Sequence, residues 1–185
     1  MFEIDDTSKE KYEKIFGNLY STNAIFVTTN YDTCFDLQVN DSLKTKSEIS
    51  TNSDTSVNSN TIRNEILYVD SDFLTSKLCN GNVIHIHGSV KDESTMLVTL
   101  TDYLSTYSIR NGKTNLLNLL DRIFNSDYVV LFMGYGLEEL EILEFMLSKN
   151  NDPAEVKKHY MLYNAYREDF KITEHLDSYF SQFNT

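Results

Sequence analysis

The chain has no tryptophan, two cysteines, and fewer basic than acidic residues. With only Cys34 and Cys79, neither a disulfide framework nor a four-cysteine zinc module can be built. These thiols read as buried or incidental groups in a reducing cytoplasm, so the expected location is cytoplasmic. The net charge of -12 argues against direct nucleic-acid binding, which needs clustered Lys and Arg to meet phosphates. It gives no signal for an anionic membrane surface either. Long hydrophobic runs are also missing: the longest, Val129 to Met133, falls far short of the ~20 residues that span a bilayer. The start, Met1-Phe2-Glu3-Ile4-Asp5-Asp6, is acidic where a signal peptide is basic and then apolar.

What is present suits a globular domain. Hydrophobic residues make up 41% and aromatic residues 12%, the latter all Tyr and Phe, enough for a core within one domain of 185 residues. Helical and extended patterns alternate, which predicts an α/β fold with a mainly parallel sheet and flanking helices. Tyr12, Ile15, Phe16 and Leu19 recur at helical spacing across Ser8 to Leu19. Ala24 to Thr29 reads as a short buried strand, Val83 to His87 as a second ending at Gly88, and Met96 to Leu100 as a third. Thr101-Asp102 signals a short helix, and Leu116 to Phe124 an amphipathic one. Tyr128 to Met133 predicts a strand, Leu137 to Leu147 a helix, His159 to Tyr163 a late strand, and the rest helical segments. Residues 41–60 are nearly all Ser, Thr, Asn, Asp and Lys, with too little apolar surface to offset ordering entropy. They predict a flexible insertion within a single domain, 1–185.

Three short stretches carry chemistry. Thr29-Asn30-Tyr31-Asp32 follows a strand, where open α/β sheets place ligand contacts. The same residues also fit an ordinary helix start with Asn30 or Asp32 as N-cap. In His85-Ile86-His87-Gly88, strand alternation puts both histidines on one face. His87 beside Gly88 suits base chemistry, with Gly88 letting a substrate near the backbone; a structural histidine is the plainer alternative. A metal pair lacks a third ligand at suitable spacing. Gly134-Tyr135-Gly136, between a strand and a helix, leaves backbone N–H groups for phosphate or ribose oxygens. It is an incomplete dinucleotide fingerprint, since Glu139 stands where a third glycine belongs.

In this order, the three stretches resemble the SIR2-like NADase family of bacterial immune effectors, a divergent branch of the sirtuin fold. Leu97 to Tyr103 and His159 to Tyr163 are similar to later segments of that family, and the likeness runs from about Phe26 to Tyr163. The resemblance implies a Rossmann-like SIR2 fold, shortened at its N-terminus, that hydrolyses NAD+ to nicotinamide and ADP-ribose. By it, Asn30 and His87 are catalytic: Asn30 holds the ribose and the attacking water, and His87 is the general base. Asp32 engages the nicotinamide carboxamide, and Thr29, Gly88, Gly134, Tyr135 and Gly136 complete the NAD+ site. NAD+ is then the substrate, with no further cofactor and no zinc expected.

Two departures bear on these implications. Nothing upstream of Phe26 supplies the family's Gly-Ala-Gly pyrophosphate loop, since Gly17 stands alone in a helical stretch. Two cysteines where deacylating sirtuins carry four favour plain NAD+ hydrolysis over protein deacylation. The expected role is a gated effector of antiphage defence, in a homo-oligomer or a hetero-complex with a separate sensor. Leu176, Tyr179, Phe180 and Phe183, at helical spacing, either close the core or dock on another subunit. The alternative role is an inactive nucleotide-binding or scaffolding subunit of such a complex.

Overall fold

The computed structural model describes residues 6–37, 39, 64–108, 114–125, 128–134, 142–143, 159–162 and 170–181. The insertion at 41–60, Tyr135, Gly136 and Phe183 lie outside these, as does most of the expected 137–147 helix. The elements run α1 (Asp6–Tyr20), β1 (Phe26–Thr28), β2 (Ile66–Leu67), β3 (Val83–His85), α2 (Leu100–Tyr107), α3 (Asn115–Asn125), β4 (Leu131–Met133), β5 (Tyr160–Leu162) and α4 (Phe170–Ser181). They fall into two compact units, residues 1–116 and 117–185, with the boundary inside α3.

In the first unit the strands order β1-β3-β2, and both pairings are parallel. β3 is central, so Val83, Ile84 and His85 are all fully buried. Covered on both faces, a parallel strand has no solvent side for the period of two to mark. β1 pairs with β3 alone among the described strands, and Val27 is 41% exposed, so this strand is not buried as its apolar sequence predicts. It is anchored by aromatic contacts instead: Tyr20 of α1 stacks on Phe26 at 5.5 Å, and Phe35 lies 4.5 Å from Phe16 and 5.1 Å from Phe26. β2 is held to the centre by Asn82, whose side chain accepts from Glu65 N–H and donates to the Lys77 carbonyl.

No strand forms over Met96 to Leu100. Thr99 there caps a helix: its hydroxyl accepts from the Asp102 N–H, and the Asp102 carboxylate accepts from the Thr99 N–H. This reciprocal capping box outweighs the β-propensity of Val98 and Thr99 and fixes α2 at Leu100. Farther on, Asp70 accepts from the Leu116 N–H and satisfies a donor in the first turn of α3.

In the second unit β4 and β5 are parallel, with Phe132 opposite Met161. Phe132, Phe124 and His159 pack ring against ring, the latter two at 5.7 Å, and His159 Nδ1 accepts from the Val130 N–H. Leu117, Leu119, Leu120, Ile123 and Phe124 of α3 are buried at helical spacing, as the amphipathic pattern predicts. On α4, Leu176 is half-buried and Tyr179 is 39% exposed.

Candidate functional site

The first unit gathers its polar side chains where β1 and β3 end. Ile86 N–H donates to the Thr28 carbonyl and Val90 N–H to the Tyr31 carbonyl, so the 86–90 turn lies along the 28–31 loop. The Tyr31 hydroxyl donates to the Leu97 carbonyl, and Leu97 N–H donates to the His87 carbonyl, which draws 95–97 against both. Thr29, Asn30, Asp32, His87 and Gly88 are thereby brought into one loop cluster at the carboxyl ends of parallel strands. Ligands of open α/β sheets are bound in this position.

Asn30 is exposed; its N–H donates to the Thr28 hydroxyl. Asp32 is also exposed, and its Oδ1 accepts from the Cys34 N–H at 2.9 Å, where residues 34–37 turn helical. One Asp32 carboxylate oxygen is thus used on the first N–H of this helical stretch, the kind of contact that the helix-start alternative expects. Cys34 is no nucleophile: burial, then the hydrogen bond and charge of Asp32, then the charge of Asp36 push its thiol up to about 11.

The strand ends at His85, and His87 sits beyond it in a turn, so the two histidines meet different surroundings. The fully buried His85 donates from Nδ1 to the Asn30 carbonyl at 3.1 Å and from Nε2 to Asp36 Oδ1 at 2.8 Å. Both ring nitrogens thus face oxygen atoms, and the imidazole is paired with the equally buried Asp36 carboxylate. Lys91 Nζ lies 2.8 Å from Asp36 Oδ2, at an angle that makes the contact an ion pair rather than a directed hydrogen bond. Burial pushes the Asp36 carboxyl up, but the His85 hydrogen bond, the close Lys91 ammonium and the charges of both hold it below the ordinary carboxylate range. Sequence reasoning missed Asp36 and Lys91; the signal was an acid flanked by Phe35 and Leu37, where an apolar residue is expected.

His87, 2% exposed, lies under two tyrosines of α2. Its Nε2 is 2.9 Å from the Tyr107 hydroxyl and its Nδ1 3.4 Å from that of Tyr103. Both phenol rings meet the imidazole near edge-on, at 5.1 Å for Tyr103 and 6.1 Å for Tyr107. Burial lowers the His87 pKa to about 4, partly opposed by its hydrogen bond to the Thr29 carbonyl. The ring is therefore neutral at ordinary pH and can accept a proton. The tyrosines were also missed, though Tyr103 and Tyr107 stand one helical turn apart.

Gly88 and Gly134 both have left-handed φ, at +87° and +64°. A Cβ on Gly88 would lie 2.2 Å from the Thr95 carbonyl oxygen, so the chain's own backbone fills the space that the sequence suggested for substrate. Gly134, in the second unit, has nothing within 4 Å of that position among the described residues. Among the described residues, no group of three or more His, Cys, Asp or Glu is placed to hold a metal, and no helix is long and apolar enough to cross a membrane.

A profile of the SIR2-like domain matches residues 24–184, from just before β1 to beyond α4. No curated protein and no solved structure matches the chain significantly. With its parallel strands, flanking helices and the residues of its first loop cluster, the chain belongs to the SIR2-like domain family.

Proposed function

We propose that this chain hydrolyses the nicotinamide–ribose bond of NAD+, with His87 as the base and Asn30 as the residue that orients ribose and water. The observation that supports it best is His87 itself: a buried, neutral imidazole bonded to the Thr29 carbonyl, one residue before Asn30. Glycosidic cleavage builds oxocarbenium character on the ribose, and nicotinamide leaves as a neutral molecule without a general acid. The work left to protein groups is orientation of the ring and activation of water. The exposed Asn30 amide and Asp32 carboxylate are suited to hold ribose hydroxyls and the nicotinamide carboxamide.

A constitutive enzyme of this kind would exhaust a cell's NAD+. The activity therefore belongs in a gated cytoplasmic effector of antiphage defence, controlled by self-assembly or by a sensor subunit. A second reading, an inactive nucleotide-binding or scaffolding subunit, is favoured by the burial of His87 beneath Tyr103 and Tyr107.

Chromatography of NAD+, nicotinamide and ADP-ribose over a range of protein concentrations tests both. Hydrolysis should appear and fall ~10²–10⁴-fold in His87→Ala, the usual cost of losing a general base, with a comparable loss in Asn30→Ala. NAD+ that binds in calorimetry yet stays intact at every concentration would support the scaffolding role.

A further inference from the structure

The burial of His87 poses a problem for any direct base mechanism. A substrate oxygen must come within about 3 Å of the accepting nitrogen, yet Nε2 is already met by a phenol at 2.9 Å. That phenol belongs to Tyr107, which is half-buried where the imidazole is closed off.

We propose that Tyr107 is the residue that touches the reacting water, relaying its proton to His87. The inference rests on the NAD+-hydrolysing reading of the same site and names the atom through which that site acts. In the resting state the ring hydrogen sits on Nδ1, and the Nε2 lone pair accepts the Tyr107 O–H. As the water oxygen bonds to the ribose carbon, the carbon–nitrogen bond breaks and its electron pair leaves with nicotinamide. The water proton passes to Tyr107 Oη while the phenol proton passes to His87 Nε2. Tyr107 ends as it began, His87 ends as imidazolium, and that proton is later released to solvent. Charge and atoms balance: NAD+ and water give nicotinamide, ADP-ribose and one proton.

The neighbouring groups favour this direction of transfer. The Thr29 carbonyl accepts a hydrogen from the imidazole and stabilises the ring once it is charged. Tyr103, at 3.4 Å from Nδ1, is at the weak end of hydrogen bonding and holds the ring mainly by its edge-on contact. The two phenols are nearly parallel, 10° apart, so that α2 presents both to the imidazole from one face. Thr99 and Asp102 fix the start of that helix.

Two measurements on the whole chain test the proposal. Long-range ¹H–¹⁵N spectra of histidine-labelled protein at neutral pH should find His87 with its hydrogen on Nδ1, and Tyr107→Phe should shift the Nε2 resonance. A hydrogen on Nε2 overturns the relay, whatever the activity. In turnover, Tyr107→Phe should lower kcat roughly 100-fold with KM little changed, as loss of a proton-transfer path does. Tyr103→Phe should stay within about threefold, because its bond is long. The double variant Tyr107→Phe/His87→Ala should be no slower than His87→Ala alone, since the two residues act as a unit. A kcat that is unchanged or raised in Tyr107→Phe overturns the relay and makes the tyrosine a lid. A wild-type chain that binds NAD+ without cleaving it overturns the NAD+-hydrolysing reading and the relay's chemistry together, while the spectra still report on the resting bond.

Discussion

His85 and His87 are two residues apart, almost equally hidden from water, and held by different partners. The surroundings of His85 contain oxygen acceptors, so the ring is clamped at both nitrogens: Asn30 carbonyl on one side, Asp36 carboxylate on the other, Lys91 beyond. Those of His87 are hydroxyls and aromatic edges, and burial among them leaves the ring neutral. Burial alone therefore does not decide what a histidine can do. A ring whose two nitrogens both donate has no lone pair to take up a proton, whereas a neutral ring keeps one. In this segment the first histidine positions the Asn30 backbone, and the second is suited to chemistry.

The largest expected effect comes from breaking the clamp. Asp36→Ala removes one partner of a fully buried pair and leaves His85 Nε2 without its carboxylate, a defect that costs roughly 3–5 kcal/mol. Urea unfolding should locate the loss in a lowered midpoint with an unchanged slope. A loss below about 1 kcal/mol, the size of an exposed pair, would mean that the clamp contributes no more than a surface contact.

A somewhat smaller effect separates the two histidines by pH. The folded His87 pKa of about 4 lies below its ordinary 6.5, so between these values the unfolded chain binds a proton that the folded chain does not. Stability is thus complete above pH 6.5 and falls as pH drops toward 4, by roughly 3 kcal/mol. The stabilisation from Asp36 goes in a lower window, being complete above the ordinary carboxylate value of 3.8 and lost as pH falls through its lowered folded value. His87→Phe should flatten the upper slope in thermal melts between pH 7 and 4 and leave the lower one. Persistence of the upper slope in that variant would assign it to some other group.

The smallest effect belongs to Lys91, whose side chain is 37% exposed against the buried carboxylate. Solvent screens such a contact, so Lys91→Met should cost only about 1 kcal/mol, and less still in 1 M salt. A loss as large as that of Asp36→Ala would put the ammonium on a par with His85 as the carboxylate's partner.

Local patterns in the sequence were enough for several elements. The helical spacing of Tyr12, Ile15, Phe16 and Leu19 corresponds to α1, that of Leu116 to Phe124 to α3, and four of the expected strand segments contain β1, β3, β4 and β5. Thr29-Asn30 and His87-Gly88 are legible because strand–turn geometry puts polar residues at sheet ends. Two kinds of feature were not legible. β2 is only Ile66 and Leu67, too short for periodicity to mark, and exists because β3 pairs with it. The partners of the histidines come from 49 and 20 residues away, Asp36 for His85 and Tyr107 for His87, and no local spacing encodes a contact closed by tertiary packing. Met96 to Leu100 failed for a different reason: its β-branched residues suit a strand, but hydrogen bonds between Thr99 and Asp102 commit it to a helix start.

The seam where Gly88 meets the Thr95 carbonyl bears on how relatives of this chain can be sorted. Any side chain there would push apart two backbone segments, so this glycine answers to the architecture before it answers to any reaction. A descendant that had given up chemistry would still be bound to keep it for as long as it folded. The hydroxyl of Tyr107 carries no such obligation, since phenylalanine fills nearly the same volume. Divergence between working and silent copies should therefore be sought at that oxygen, one atom on α2, rather than in the dipeptide that first catches the eye.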